Sequence, residues 1–331
     1  MGFFSNGSPL SQRIPTCIGN EAMSSSKIAS SSAVEVRCTT MMTPGLLQVE
    51  RIKNDLRTVR IGRRIEYVET TTSTNDEAWA RVAAGNADGL VVLTEHQSAG
   101  RGRLGRKWES PRGASVLVSV VLVESELEEG TEHTSADGEM GTRRLQTGVT
   151  RGAERARVGG EIILRSAIAV CDTIRKCTDV PATIRWPNDL FIGEKKVGGI
   201  LVESQQSASD VLVFVVGIGI NCLQHAGHLQ VIGERPVTSL DLEAKQPVDR
   251  SRLVADLLEQ LDARLALLGD GDGARQAWLE RAEPVGKPIR LQHGGRILTG
   301  SVIDIDPAAA LVVQLDEGGV RAFDASTTTM L

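Results

Sequence analysis

The alternation of apolar and polar positions becomes regular only from about Leu46. Residues 1–45 are Ser-rich, show no sustained hydrophobic period and read as a disordered extension. Residues 64–70 (RIEYVET) alternate as a half-buried strand does. They lead into TTSTNDEAWARVAAG, a small-residue helix for which Ser73 or Thr74 is the expected N-cap. Asp76 and Glu77 fall in its first turn, where carboxylates suit the helix dipole. Residues 89–97 and 114–123 are apolar runs of strand length, separated by a Gly/Arg segment. Across 124–160 the period lapses. Acidic residues come first, Arg143, Arg144, Arg151, Arg155 and Arg157 follow, and the stretch reads as a disordered insertion.

Helical spacing resumes over 161–177, with Ile163, Ala167, Val170, Cys171 and Ile174 on one face. Two strands are expected next, ATIRWPNDLFI (182–192) and KVGGILVES (196–204), joined by a tight turn at Gly193, Glu194 and Lys195. VLVFVVGIGINC (211–222) is a very apolar strand, 249–268 the longest amphipathic helix, and 273–282 a shorter one. Short β stretches at 287–293, 296–306 and 310–316, spaced by turn residues, predict a small SH3-like barrel over 283–331. The fold class is therefore α+β (mixed α/β): a larger domain over 46–282 with a central mixed sheet, then the barrel.

Composition narrows the function classes. The 331 residues carry a net charge of −5, which argues against a dedicated nucleic-acid binder. No apolar run is long enough to span a bilayer. The five cysteines form no CxxC and no close Cys/His cluster, so neither a zinc site nor a disulfide framework is expected, and a reducing cytoplasm is the default. The Ser and Arg content of 1–45 leaves an organelle-targeting reading as the alternative.

Three stretches carry candidate chemistry. In AGRGRLGRKW (99–108), Gly100, Gly102 and Gly105 satisfy GxGxxG, but a dinucleotide site needs a helix after the loop, and here a β-branched run follows. What remains is a flexible backbone bearing Arg101, Arg103, Arg106 and Lys107 with no carboxylate among them. Either its amides and forked guanidinium donors hold phosphate or carboxylate oxygens, or it is a solvated basic hairpin tip. In IRWPNDLFIGEKKVGGILVE (184–203), Trp-Pro interrupts a strand pattern, Asn188 and Asp189 follow with opposite facing, and Lys196 returns after the hairpin. An edge strand with a bulge is the plainer alternative. GIGIN (217–221) ends a buried strand on a polar side chain and is weak alone. No Ser/His/Asp or Cys/His arrangement marks a protein nucleophile.

Taken together, STN (73–75), GRGRLGRKW (100–108), WPND (186–189), KKVGGILVE (195–203) and GIGIN, in this order, resemble the biotin protein ligases. The resemblance runs from about Ile65 to the C-terminus, interrupted by the insertion. It implies a catalytic domain like those of the class II aminoacyl-tRNA synthetases and biotin ligases. It implies a two-step reaction: biotin's carboxylate attacks the α-phosphorus of ATP, and a lysine of a biotin carboxyl carrier protein then takes the activated biotinoyl group. ATP and Mg²⁺ are implied as co-substrate and metal, with no tightly bound prosthetic group. Lys196, Arg101 and Arg103 match the catalytic cations, with Lys196 against the biotin carboxylate and α-phosphate. Ser73, Thr74, Gln97, Gly100, Gly199 and Leu201, with Arg101 and Lys196, match biotin contacts. Arg103, Arg106, Trp108, Arg185, Asn188 and Asn221, again with Arg101, match the ATP and adenylate set, and Asp189 a Mg²⁺ ligand.

Three departures from the family pattern stand out. Arg185 replaces the usual Lys before WPND, a planar fork in place of a compact ammonium. Val197 and Gly198 replace a Leu-Ala pair, and the barrel closes on ASTTTML. No three-helix pattern precedes Ser73, so the resemblance is to the members that do not bind DNA; a homodimer stays open. The alternatives are a lipoate or octanoyl transferase of the same fold and a non-enzymatic basic-loop binder.

Overall fold

The computed structural model describes residues 45–331 apart from 86, 125–146, 207–210, 230–235, 245, 284–285 and 307–309. The expected disordered extension thus lies outside the described residues but for Gly45, as does 125–146 of the insertion. Helix α1 (Val49–Asp55) and strand β1 (Arg64–Thr71) come first, then α2 (Thr74–Ala84), β2 (Leu90–Gln97) and β3 (Ser115–Glu124). Helix α3 (Thr147–Thr178) is followed by β4 (Thr183–Arg185), β5 (Asp189–Ile192), β6 (Lys195–Gln206) and β7 (Leu212–Asn221). Helices α4 (Leu240–Glu243), α5 (Arg250–Leu265) and α6 (Gly271–Leu279) lead to β8 (Pro288–His293), β9 (Arg296–Asp306), β10 (Ala310–Leu315), β11 (Val320–Asp324) and β12 (Thr328–Met330).

The first seven strands form one mixed sheet in the order β1-β2-β3-β7-β6-β5-β4, parallel only between β1 and β2. The last five form an antiparallel sheet, β11-β10-β9-β8-β12, within the same compact unit. The expected fold class is what the structure displays. Continuous apolar runs make β3 and β7 because both their faces are covered. On one face Val116, Val118, Phe214 and Val216 pack with α3 and α5; on the other Val121, Val213 and Val215 meet Ala78 of α2.

Two expectations need correction. The insertion does not stay irregular to residue 160, since α3 begins at Thr147. Its charges are paired along the helix, Glu154–Arg157, Arg157–Glu161 and Glu161–Arg165, so a pattern that looks solvated is a run of i,i+3 and i,i+4 neighbours. Nor is 182–192 one strand. The chain reverses at a cis Trp186–Pro187 bond, and β4 and β5 pair antiparallel with Arg185 opposite Asp189.

A buried ion pair ties the start of the described chain to the sheet. Arg250 and Glu95 have side chains 3% and 0% exposed and meet at 2.8 Å. Arg250 also donates to the carbonyls of Ser115 and Gly45, and the Leu47 amide donates to Glu95. Removing one member strands the other in low dielectric. Glu95→Ala should lower the unfolding free energy by about 3–5 kcal/mol; an unchanged urea midpoint would contradict this role.

Candidate active site

On the face of the large sheet that α2 covers, the N-terminus of α2, the loop between β2 and β3, the β4–β5 turn and the glycine-rich parts of β6 and β7 enclose a cavity. Its space is about 960 Å³ counted out to its open mouth and the solvent there. Thr329 and Met330 of β12 also border it.

The inner wall is polar but orderly. The backbone amide and hydroxyl of Thr74 both donate to Gln97 Oε1, at 2.8 and 3.1 Å. The Ser119 hydroxyl lies 2.7 Å from Thr74 Oγ1 and donates to Asn75 Oδ1 at 2.6 Å. Ser73 occupies the N-cap position of α2, yet its own side chain makes no capping hydrogen bond; Ser73 and Thr74 line the cavity instead. Asn75 Nδ2 is buried and has no protein partner.

Glycines make room for these side chains. A Cβ on Gly217 would stand 2.4 Å from Asn75 Oδ1, and one on Gly219 2.7 Å from the Trp108 indole. The alternation of GIGIN is therefore a steric requirement: two consecutive inward positions of β7 must be bare.

The opposite wall carries cations. Lys196 Nζ donates to Asp189 Oδ1 at 2.6 Å, with both side chains largely buried. Its backbone is fixed by bonds to Pro236 and Thr238. Arg103 donates from Nη1 to Asn188 Oδ1 at 3.2 Å, while its Nη2 is buried with no protein partner. Burial pushes the Arg103 guanidinium below its usual value, partly offset by Asp189; an arginine so shifted still keeps its proton. Arg101 borders the same cavity, but its fork is bidentate to Asp76 at 2.7 and 2.8 Å and reaches Glu203 at 3.3 Å.

The other expected site residues divide. Arg106, Trp108, Gly199 and Leu201 line the cavity, as do Asn188 and Asp189 together, not on opposite faces, because Asn188 sits in the turn before β5. Gly100 is not part of the wall. It sits at the base of the loop, where its carbonyl accepts from the Trp108 amide and a Cβ would meet the Trp108 carbonyl at 2.5 Å. Asn221 borders a second cavity that shares Gln97, Lys107 and Trp108 with the first. Arg185 is in neither: its guanidinium pairs with Glu283 and Glu194 and stacks 3.9 Å over the Phe191 ring.

Comparison with known proteins gives the chain a family. The profile of the biotin/lipoate A/B protein ligase family matches residues 67–221, and that of the biotin protein ligase C-terminal domain matches 285–327. A biotin–[acetyl-CoA-carboxylase] ligase of Paracoccus denitrificans is 32% identical over 251 residues, covering 74% of this chain and 91% of that protein. Another, from Mycobacterium tuberculosis, is 30% identical over 263 residues, 78% of this chain and 85% of that one. This chain belongs to the biotin protein ligase family. The fold agrees: a biotin protein ligase from Aquifex aeolicus, solved with biotin and ATP, superposes with a TM-score of 0.59 at 20% identity, covering 81% of this chain and 99% of that one.

Within the family's frame, Asn75, Gly217, Gly219 and Met330 are cavity residues that motif reading left out. The signal for the first was a third polar residue in STN; for the glycines it was their spacing of two along a buried strand. Gly219→Ala should push the Trp108 indole from its seat and red-shift tryptophan emission, and the shift should vanish in a Trp108→Phe background. An unshifted spectrum would show that the ring does not depend on that gap.

Proposed function

We propose that this chain is a biotin protein ligase in which biotin and ATP share the cavity beneath the glycine-rich loop. The observation that carries the reading is the half-buried Arg103 guanidinium, whose Nη2 is enclosed. It has an unpartnered N–H group, shares a cavity with Lys196, and lies across from a polar wall of Ser73, Thr74 and Gln97. An enclosed guanidinium N–H that no carboxylate hydrogen-bonds suits an anionic ligand. The lipoate alternative is not favoured, since the relatives that match over most of their length are named biotin ligases.

The chemistry follows from charge. An oxygen of the biotin carboxylate forms a bond to the α-phosphorus, and the bond to the pyrophosphate oxygen breaks with its electron pair. Both reactants are anions, so fixed cations that hold them together lower the barrier. Lys196, anchored by Asp189, supports the carboxylate and the phosphate undergoing attack, and Arg103 the remaining phosphate charge. In the second step a carrier lysine amine attacks the acyl carbonyl, the acyl–phosphate bond breaks, AMP leaves, and the amine gives up its proton. No protein nucleophile takes part.

Among the described residues no group of three or more His, Cys, Asp or Glu could hold a metal. Asp189 is the one cavity carboxylate beside Lys196. That donor set suits a Mg²⁺ delivered on ATP, which takes one or two protein carboxylates and several phosphate or water oxygens. When bound, Mg²⁺ would neutralise phosphate charge, with Asp189 as its protein ligand. We read 46–282 as the catalytic domain and 283–331 as the C-terminal domain, the partner as a biotin carboxyl carrier protein, and the location as cytoplasmic, in keeping with the free thiols Cys171, Cys177 and Cys222.

Incubated with biotin, ATP and Mg²⁺, the protein should add one biotinoyl group to a carrier domain, seen by intact-mass spectrometry. Lys196→Ala should retain its circular dichroism spectrum and lose about 10²–10³-fold in labelling rate, the scale of removing one preorganised charge-stabilising donor. Undiminished labelling would take Lys196 out of the mechanism, and a carrier labelled by lipoate but not biotin would overturn the reading.

A further inference from the structure

The loop over the cavity closes on itself through a few backbone contacts. Beyond its base, the Trp108 amide on the Gly100 carbonyl, these are an Arg101–Lys107 bridge, the Gly102 amide on the Arg106 carbonyl and the Arg106 amide on the Arg103 carbonyl. At its tip Leu104 is 57% exposed and sits at φ 55°, a left-handed conformation unfavourable for leucine. Among the described residues, the ion pairs that tie 100–108 to the body are those of Arg101, beside the Arg103–Asn188 hydrogen bond.

The receiving carboxylates are themselves oriented. Asp76 stands in the first turn of α2, one residue after the cavity-lining Asn75, and accepts from the Thr72 side chain. Glu203 lies on β6, two residues beyond the cavity-lining Leu201, with its other oxygen accepting from Trp79 Nε1 at 2.9 Å. Arg101 is thus gripped from two elements that also build the cavity, and its hydrogen bonds lower the Asp76 carboxyl from its usual value. A guanidinium so engaged has few donors left for a ligand.

We propose that Asp76 and Glu203 are positioning residues for the reaction: they latch the glycine-rich loop closed through Arg101, so that Arg101 fastens the loop instead of contacting the reacting groups. The proposal rests on the ligase reading for its purpose, which is to keep a water-sensitive adenylate enclosed until the carrier arrives. It differs from the role the family resemblance implies for Arg101, and it makes charge complementarity, not an arginine as such, the requirement at that position.

Two measurements decide it. In ligand-free protein, trypsin should cut the loop after Arg103, Arg106 or Lys107 about two- to five-fold faster in Asp76→Asn and Glu203→Gln than in the parent, the scale that exposed ion pairs support. With biotin and ATP, adenylate release should accelerate by a similar factor and the KM for biotin should rise more than kcat falls. Arg101→Asp and Asp76→Arg should each show both defects, and the double variant should recover both. Unchanged cleavage and release in Asp76→Asn would overturn the latch. So would a double variant as defective as Arg101→Asp while Asp76→Asn behaves as the parent, since the arginine would then act on the ligand. A parent protein that formed no adenylate would overturn the ligase reading alone, and the cleavage rates would still decide the latch.

Discussion

An arginine taken out of water retains its charge, and each of its N–H groups must find an acceptor or leave the fold carrying the deficit. Arg103 has one acceptor in Asn188 and an idle Nη2, held beside the Lys196–Asp189 pair. Positive charge is thereby concentrated at one end of a cavity whose other end offers neutral hydroxyl and amide groups. On the reading proposed above, such a site suits an elongated molecule with a polar head and an anionic tail, joined there by a second anion.

The site depends on backbone as much as on side chains. Strand β7 runs through the sheet centre, between β3 and β6, and presents Gly217 to Asn75 and Gly219 to Trp108. Side chains at either place would fill the space that the indole and the STN segment occupy. The β4–β5 turn brings Asn188 and Asp189 to the cavity from a short pair of strands at the sheet edge, and the hairpin that follows returns Lys196 against them. Cavity, cations and loop are consequences of one sheet order.

How much of this was legible in the chain varies with the kind of interaction. Strands β2, β3 and β7 are readable because a strand covered on both faces is mostly apolar and these runs have strand length and many β-branched residues. The start of α3 was hidden because Glu154, Arg157, Glu161 and Arg165 look like solvent-exposed charge until a helix pairs them. Helix α1 contributes one fully buried side chain, Ile52, too little to announce itself. At the site, motif order identified the cations, but motifs do not record partners. Arg185 lies in a cavity-lining motif and yet turns to Glu194 and Glu283, residues nine and 98 positions away. Arg101 likewise meets Asp76 and Glu203, which no spacing rule connects.

Charge gathered to unite two anions makes a claim that needs no carrier protein to examine. The direct measurement is exchange of labelled pyrophosphate into ATP. With biotin present the protein should catalyse exchange, without biotin it should not, and Lys196→Ala should abolish most of it. Exchange that ignored biotin, or that lipoate supported while biotin did not, would contradict the assignment of this cavity to biotin activation.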